Sequence, residues 1–175
     1  MSTTAPELRS VGEVSSAGYV RRAFLFETVG ITAQLWSEQG GDGREAGVRV
    51  EMQRLDEQPG ASEYDAVELR LHDPIFRADL FRIDTGAPGN FDRAHYHRFE
   101  GRYPGERFFD PALGSDPLTW LAARLSDLDA LLEAAGRPEL RHAADARRVA
   151  QAVPAVVAAV ADLMSLIPDP AAGPA

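Results

Sequence analysis

The feature that most constrains this chain is a change of period. Between Tyr19 and Phe99 apolar residues recur at every second position, whereas beyond Phe109 they recur at every third and fourth. A period of two marks a strand with one buried face, and a period near 3.6 marks an amphipathic helix. Strands first and helices afterwards predict an α+β fold: an antiparallel β-meander of about five or six strands, followed by two or three C-terminal α-helices.

The strand candidates follow one another with short connections. Val20 to Thr28 carries Phe24 and Phe26 on one face, with Leu25 breaking the alternation. Ile31, Ala33 and Leu35 alternate with Thr32, Gln34 and Trp36. After a turn at Gly40, Gly41, Asp42 and Gly43, Val48, Val50 and Met52 alternate with Arg49, Glu51 and Gln53. A loop over Gln58 to Glu63 leads to Val67, Leu69 and Leu71. Asp73-Pro74 predicts a tight reversal, with His72 as a turn residue and Ile75 to Asp84 as the returning strand. That strand changes phase at Leu80-Phe81, which a bulge or a strand covered on both faces would explain. After the loop Gly86 to Asn90, Ala94 to Phe99 forms one more short strand, and the charged stretch around Arg98, Arg102 and Arg107 reads as a solvated loop.

In the helical part, Ser115 or Asp116 caps a helix with Pro117 in its first turn. Leu118, Leu121, Leu125, Leu128 and Leu132 form its apolar stripe, with Asp127, Asp129 and Glu133 on its solvated side, and Gly136 ends it. A second helix runs from Glu139 to Ile167 with a stripe from Val149 to Met164, and Pro154 should kink or divide it. The expected organisation is a lead-in over 1–17, one domain over 18–167 (sheet part 18–109, helical part 115–167) and a frayed tail over 168–175.

Composition narrows the chemistry. There is no cysteine, so disulfides, thiolate metal sites and cysteine nucleophiles are excluded. The net charge of −9 disfavours non-specific binding to nucleic acid or anionic lipid. All basic residues are arginine, a bias typical of GC-rich bacterial genomes. The N-terminus lacks the basic and apolar regions of a signal peptide, and no apolar run reaches the roughly 20 residues of a membrane span, so a cytoplasmic location without membrane contact is expected.

The sharpest chemical feature is His95-Tyr96-His97. On an extended segment, residues two apart project from one face, so both imidazoles point the same way. Such a pair can bind a divalent metal, or act as an acid and a base on one substrate. The plainer alternative is a surface pair or two structural hydrogen-bond donors. Asp84 is expected to orient one imidazole, and Arg82, Arg93 and Arg98 to hold an anionic substrate. No cofactor is demanded by the sequence. His95 and His97 are the candidate ligands for any divalent metal.

The spacing of Gly89, His95 and His97 resembles the first half of the cupin metal motif, but Glu100 comes too soon after His97 and no second motif follows. Phe81-Arg82-Ile83-Asp84, a proline-containing loop and His95-Tyr96-His97 are similar to a pattern in TumE-like toxins of bacterial toxin–antitoxin modules. The likeness covers about residues 64–100. It implies a compact β-meander with helices, a site built from Arg82, Asp84, His95 and His97, and a protein partner encoded nearby. The extra N-terminal strands and long C-terminal helices depart from that pattern.

Two expectations result. The first is a toxin-like or small hydrolytic effector whose histidine pair acts on a phosphodiester-type substrate. The second is a non-catalytic protein that dimerises or binds a partner through helices 116–136 and 139–167.

Overall fold

The computed structural model describes residues 10–11, 21–40, 43–55, 71–83 and 94–167. Among these residues, seven strands form one antiparallel sheet in sequential order: β1 (Ser10–Val11), β2 (Arg21–Leu25), β3 (Val29–Gly40), β4 (Gly43–Leu55), β5 (Leu71–Ile83), β6 (His95–Glu100) and β7 (Tyr103–Phe108). Helices α1 (Pro111–Ser115), α2 (Pro117–Ser126) and α3 (Leu128–Ala134), a 3-10 turn at Pro138–Leu140 and α4 (Ala143–Ser165) follow. The expected α+β meander with C-terminal helices is therefore the observed fold.

Register assigns each alternating residue to a face. Ile31 pairs with Met52 and Met52 with Phe76; Ala33, Val50, Ala78, Tyr96 and Phe108 form the next row, and Leu35, Val48 and Leu80 another. These rows are apolar and meet the helices, so one core is shared by sheet and helices. Leu121, Leu125, Leu128 and Leu132 from α2 and α3 are buried in it, as are Val149, Val153, Val156, Val160 and Leu163 from α4. Each such side chain contributes about 1.5–3 kcal/mol by leaving water. The leucine and valine stripes thus face the sheet and each other. By length and composition alone α4 could cross a membrane, but here it is the core helix of this packing.

The second face carries a different set. One row across it reads Arg21, Gln34, Arg49, Asp79, His95, and the next reads Ala23, Thr32, Glu51, Arg77, His97, Arg107. Facing cross-strand neighbours of opposite charge pair directly: Arg77 Nε lies 2.6 Å from Glu51 Oε1, and Arg49 Nε 2.7 Å from Asp79 Oδ1.

Several sequence expectations need correction. Asp73-Pro74 is not a reversal. β5 runs straight through it, and Asp73, at φ 41°, is the extra residue of a bulge between the pairs Gln53–Pro74 and Arg54–His72. Aspartate tolerates this left-handed backbone better than most residues. His72 is accordingly a strand residue. The segment read as a solvated loop is strand β7, reached by a turn through Gly101 at φ 66°. The leucine-striped helix is two helices. Asp127 interrupts it and caps α3 by accepting from Ala130 N at 3.0 Å, so it is no passive surface residue. The second helix starts at Ala143 rather than Glu139, and Pro154 does not divide it. Pro154 sits on the exposed side, where the carbonyl it leaves unpaired can meet water. Within the expected lead-in, Ser10–Val11 pairs with β2. The predicted loops at 58–63 and 86–90 lie outside the described residues, as does most of the strand expected from Val67.

Candidate metal centre

Antiparallel pairing of β5 and β6 sets Asp79 directly opposite His95, and Arg77 opposite His97. Asp79, His95 and His97 therefore share the second face of the sheet, as the two-residue period requires. All three are buried, at 3%, 6% and 8% exposure. His95 Nε2 stands 3.6 Å from Asp79 Oδ2, and His97 Nε2 3.9 Å from the same oxygen. One ligand atom from each residue lies within 4.8 Å of the others.

The far side of Asp79 and of His97 is occupied. Asp79 Oδ1 accepts from Arg49 Nε at 2.7 Å, which leaves Oδ2 to face the imidazoles. His97 Nδ1 is 3.0 Å from the Gly105 carbonyl oxygen. A carbonyl can only accept, so Nδ1 carries the proton and donates. In the neutral ring, Nε2 then presents its lone pair to Asp79 Oδ2.

Gly105 can approach because it has no side chain: a Cβ there would come within 3.0 Å of the Arg98 carbonyl oxygen. It sits where β7 spends one more residue than β6, between the pairs His97–Arg107 and Phe99–Pro104. A bulge of this kind redirects a backbone group away from the regular ladder. Aromatic rings flank His95, with Phe81 at 6.1 Å and Phe109 at 5.9 Å between centroids, and Trp36 packs edge-on against Phe81 at 4.9 Å.

With Nε2 unprotonated, two acceptors face each other in a buried site, and either a proton on Nε2 or a cation between them relieves the repulsion. At 3.6–3.9 Å the separations exceed a hydrogen bond. They approach the separation of about 3.3 Å that a tetrahedral ion with bonds of about 2.0–2.1 Å imposes on its ligand atoms. Closing the two aspartate–histidine edges takes inward shifts of about 0.3–0.6 Å. The set is two imidazoles and one carboxylate, with Asp79 and His97 braced from behind and coordination positions left over.

Of the residues expected from the sequence, His95 and His97 are brought together as foreseen. Arg98 is not with them: its register places it on the helix-covered face, where its guanidinium lies 4.9 Å from the Phe108 ring centroid. Asp84 and Arg93 lie outside the described residues, and Arg82 is fixed only as a backbone position in β5. Among the described residues, the carboxylate beside the imidazoles is that of Asp79, and Arg49 is the guanidinium bound to it. The signal for Asp79 was present: it stands between Ala78 and Leu80, so the period of two sends it to the face opposite the core.

Two further features concern other parts of the chain. Asp145 is fully buried and accepts from Glu27 N (2.8 Å), Thr28 N (2.7 Å) and Thr28 Oγ1 (2.7 Å), fastening the β2–β3 turn to α4. A cleft of about 480 Å³ beside it is lined by residues including Glu27, Arg54, Arg141 and His142. Its charged walls are largely spoken for, with Arg148 on Glu27, Arg137 on Glu139 and Arg141 on Glu133. It shares no residue with the Asp79 cluster. No family model, no curated protein and no solved structure matches this chain.

Proposed function

We propose that this protein is a divalent-metal-dependent hydrolase whose centre is Asp79, His95 and His97. The observation that carries the reading is the convergence of Asp79 Oδ2, His95 Nε2 and His97 Nε2 in a buried site, with His97 Nδ1 turned away to the Gly105 carbonyl. A cation held by all three would be met by one carboxylate and two imidazole nitrogens. Three protein ligands leave room on the ion for water and for a substrate oxygen. A divalent ion held by Asp79, His95 and His97 would supply Lewis-acid activation of water and substrate. Arg49 holds Asp79 in its ligating orientation, and Gly105 holds His97.

An anionic phosphodiester-type substrate suits a positive centre. A toxin-like effector role, which the likeness over residues 64–100 implies, is compatible with this chemistry. The test is hydrolysis of bis(p-nitrophenyl) phosphate by protein stripped of metal and then supplied with Zn(II), Mn(II) or Co(II). Turnover that returns with metal and disappears in His95→Ala and Asp79→Asn supports the reading. Turnover indifferent to chelation, or to both substitutions, contradicts it.

A further inference from the structure

The geometry points to the ligand of this centre: an oxyanion carrying a flat apolar substituent, gripped by Arg107 and covered by Phe109. This deepens the metal-centre reading and rests on it.

Arg107 is paired directly opposite His97 across β6 and β7, so the two side chains leave the same face of the sheet. It is exposed, and among the described residues it makes no ion pair and no side-chain hydrogen bond. The other arginines near the cluster are committed. Arg49 is bound to Asp79, and Arg77 is bound to Glu51 and lies over the Phe99 ring at 5.6 Å. Arg107 is thus the guanidinium left to grip an anion already drawn to the ion. Its planar fork matches the two oxygens of a carboxylate or of a phosphate equally well.

Phe109 follows two residues later. It is one of three large apolar side chains exposed among the described residues, at 50%, and its ring is 5.9 Å from that of His95. A half-exposed aromatic against a buried ligand residue offers a stacking surface for a flat group attached to the anion. Phe81 lies on the far side of His95 and continues the apolar wall.

The experiment uses the full chain loaded with Co(II), whose visible spectrum reports both loading and anion coordination. Cobalt binding is measured first on every variant. Phosphate, phenyl phosphate, acetate and benzoate are then titrated. We expect each aromatic anion to bind several-fold more tightly than its parent, and the phosphate and carboxylate arms to show which headgroup the site prefers. Arg107→Gln should retain its cobalt spectrum and weaken all four anions about tenfold. Phe109→Ala should remove the aromatic preference, about five-fold, and leave the parent anions unchanged. Unaltered anion affinity in cobalt-loaded Arg107→Gln overturns the role of Arg107, and equal affinity for phenyl phosphate and phosphate overturns that of Phe109. Failure of the wild-type protein to take up cobalt removes the metal centre itself, and this inference with it.

Discussion

Arg49 Nε donates to Asp79 Oδ1 at 2.7 Å, and that single bond decides which carboxylate oxygen is left for the two imidazoles. Arg49→Met should free the carboxylate to rotate. We expect metal affinity to fall about 10- to 100-fold, the usual effect of losing a partner behind a ligand. Stability should fall by about 1–3 kcal/mol, because Asp79 stays buried while Arg49 was partly in water. Isothermal titration with Zn(II) and urea unfolding separate the two effects.

Gly105 makes a second, independent prediction. A methyl group at this position meets the Arg98 carbonyl oxygen at 3.0 Å, so Gly105→Ala should push β7 away from β6. His97 would then lose the acceptor that fixes its tautomer. Nitrogen-15 shifts of the His97 ring should move from a single Nδ1-protonated form towards a mixture of tautomers, and metal affinity should drop by about tenfold. An unchanged ring spectrum would show that the carbonyl does not set the tautomer.

Asp145 bears on stability alone. Its carboxylate satisfies two backbone donors and one hydroxyl with no exposure to water. Asp145→Ala should cost about 3 kcal/mol or more by leaving those donors unpaired in the interior. Asp145→Asn, which keeps one acceptor oxygen, should cost less. Metal affinity of the folded fraction should not change in either.

Asp110 gives a pH dependence. It caps α1 by accepting from Ala112 N and also accepts from Trp120 Nε1 at 2.7 Å. The Trp120 bond first, then the Ala112 bond, lower its pKa below the ordinary 3.8, against the opposing effect of burial, with Arg124 nearby adding to the lowering. A carboxyl with a depressed folded-state pKa stabilises fully above its unfolded value and loses that contribution as pH falls through the folded one. The stability gap between wild type and Asp110→Asn should therefore be constant above about pH 5 and narrow below pH 3.8. Thermal melts at stepped pH measure it.

The meander, the faces of its strands and the apolar stripes of the helices were legible because period alone determines them. Val48, Val50 and Met52 cannot alternate with Arg49, Glu51 and Gln53 without sending one set inward. The backbone at Asp73-Pro74 was not legible. The same dipeptide serves a turn or a bulge, and only pairing with β4 decides. Strand β7 was hidden by Pro104 and Gly105, which discourage a central strand but suit an edge.

The site was half legible for a related reason. His95 and His97 are neighbours in sequence, so their common face follows from local geometry. Asp79 and Arg49 join them from two other strands, and only register brings those positions together. Asp84 was the natural sequence candidate because it is close to the loop before His95. Asp84 lies outside the described residues, and cross-strand pairing brings in a further acid, Asp79, directly opposite His95.

The most direct measurement is an anomalous-difference map from crystals grown with Co(II) or Zn(II). The account predicts one strong peak on the second face of the sheet, about 2.0–2.2 Å from Asp79 Oδ2, His95 Nε2 and His97 Nε2. A map with no peak there, with the His97 ring turned so that Nδ1 no longer meets Gly105, would contradict it.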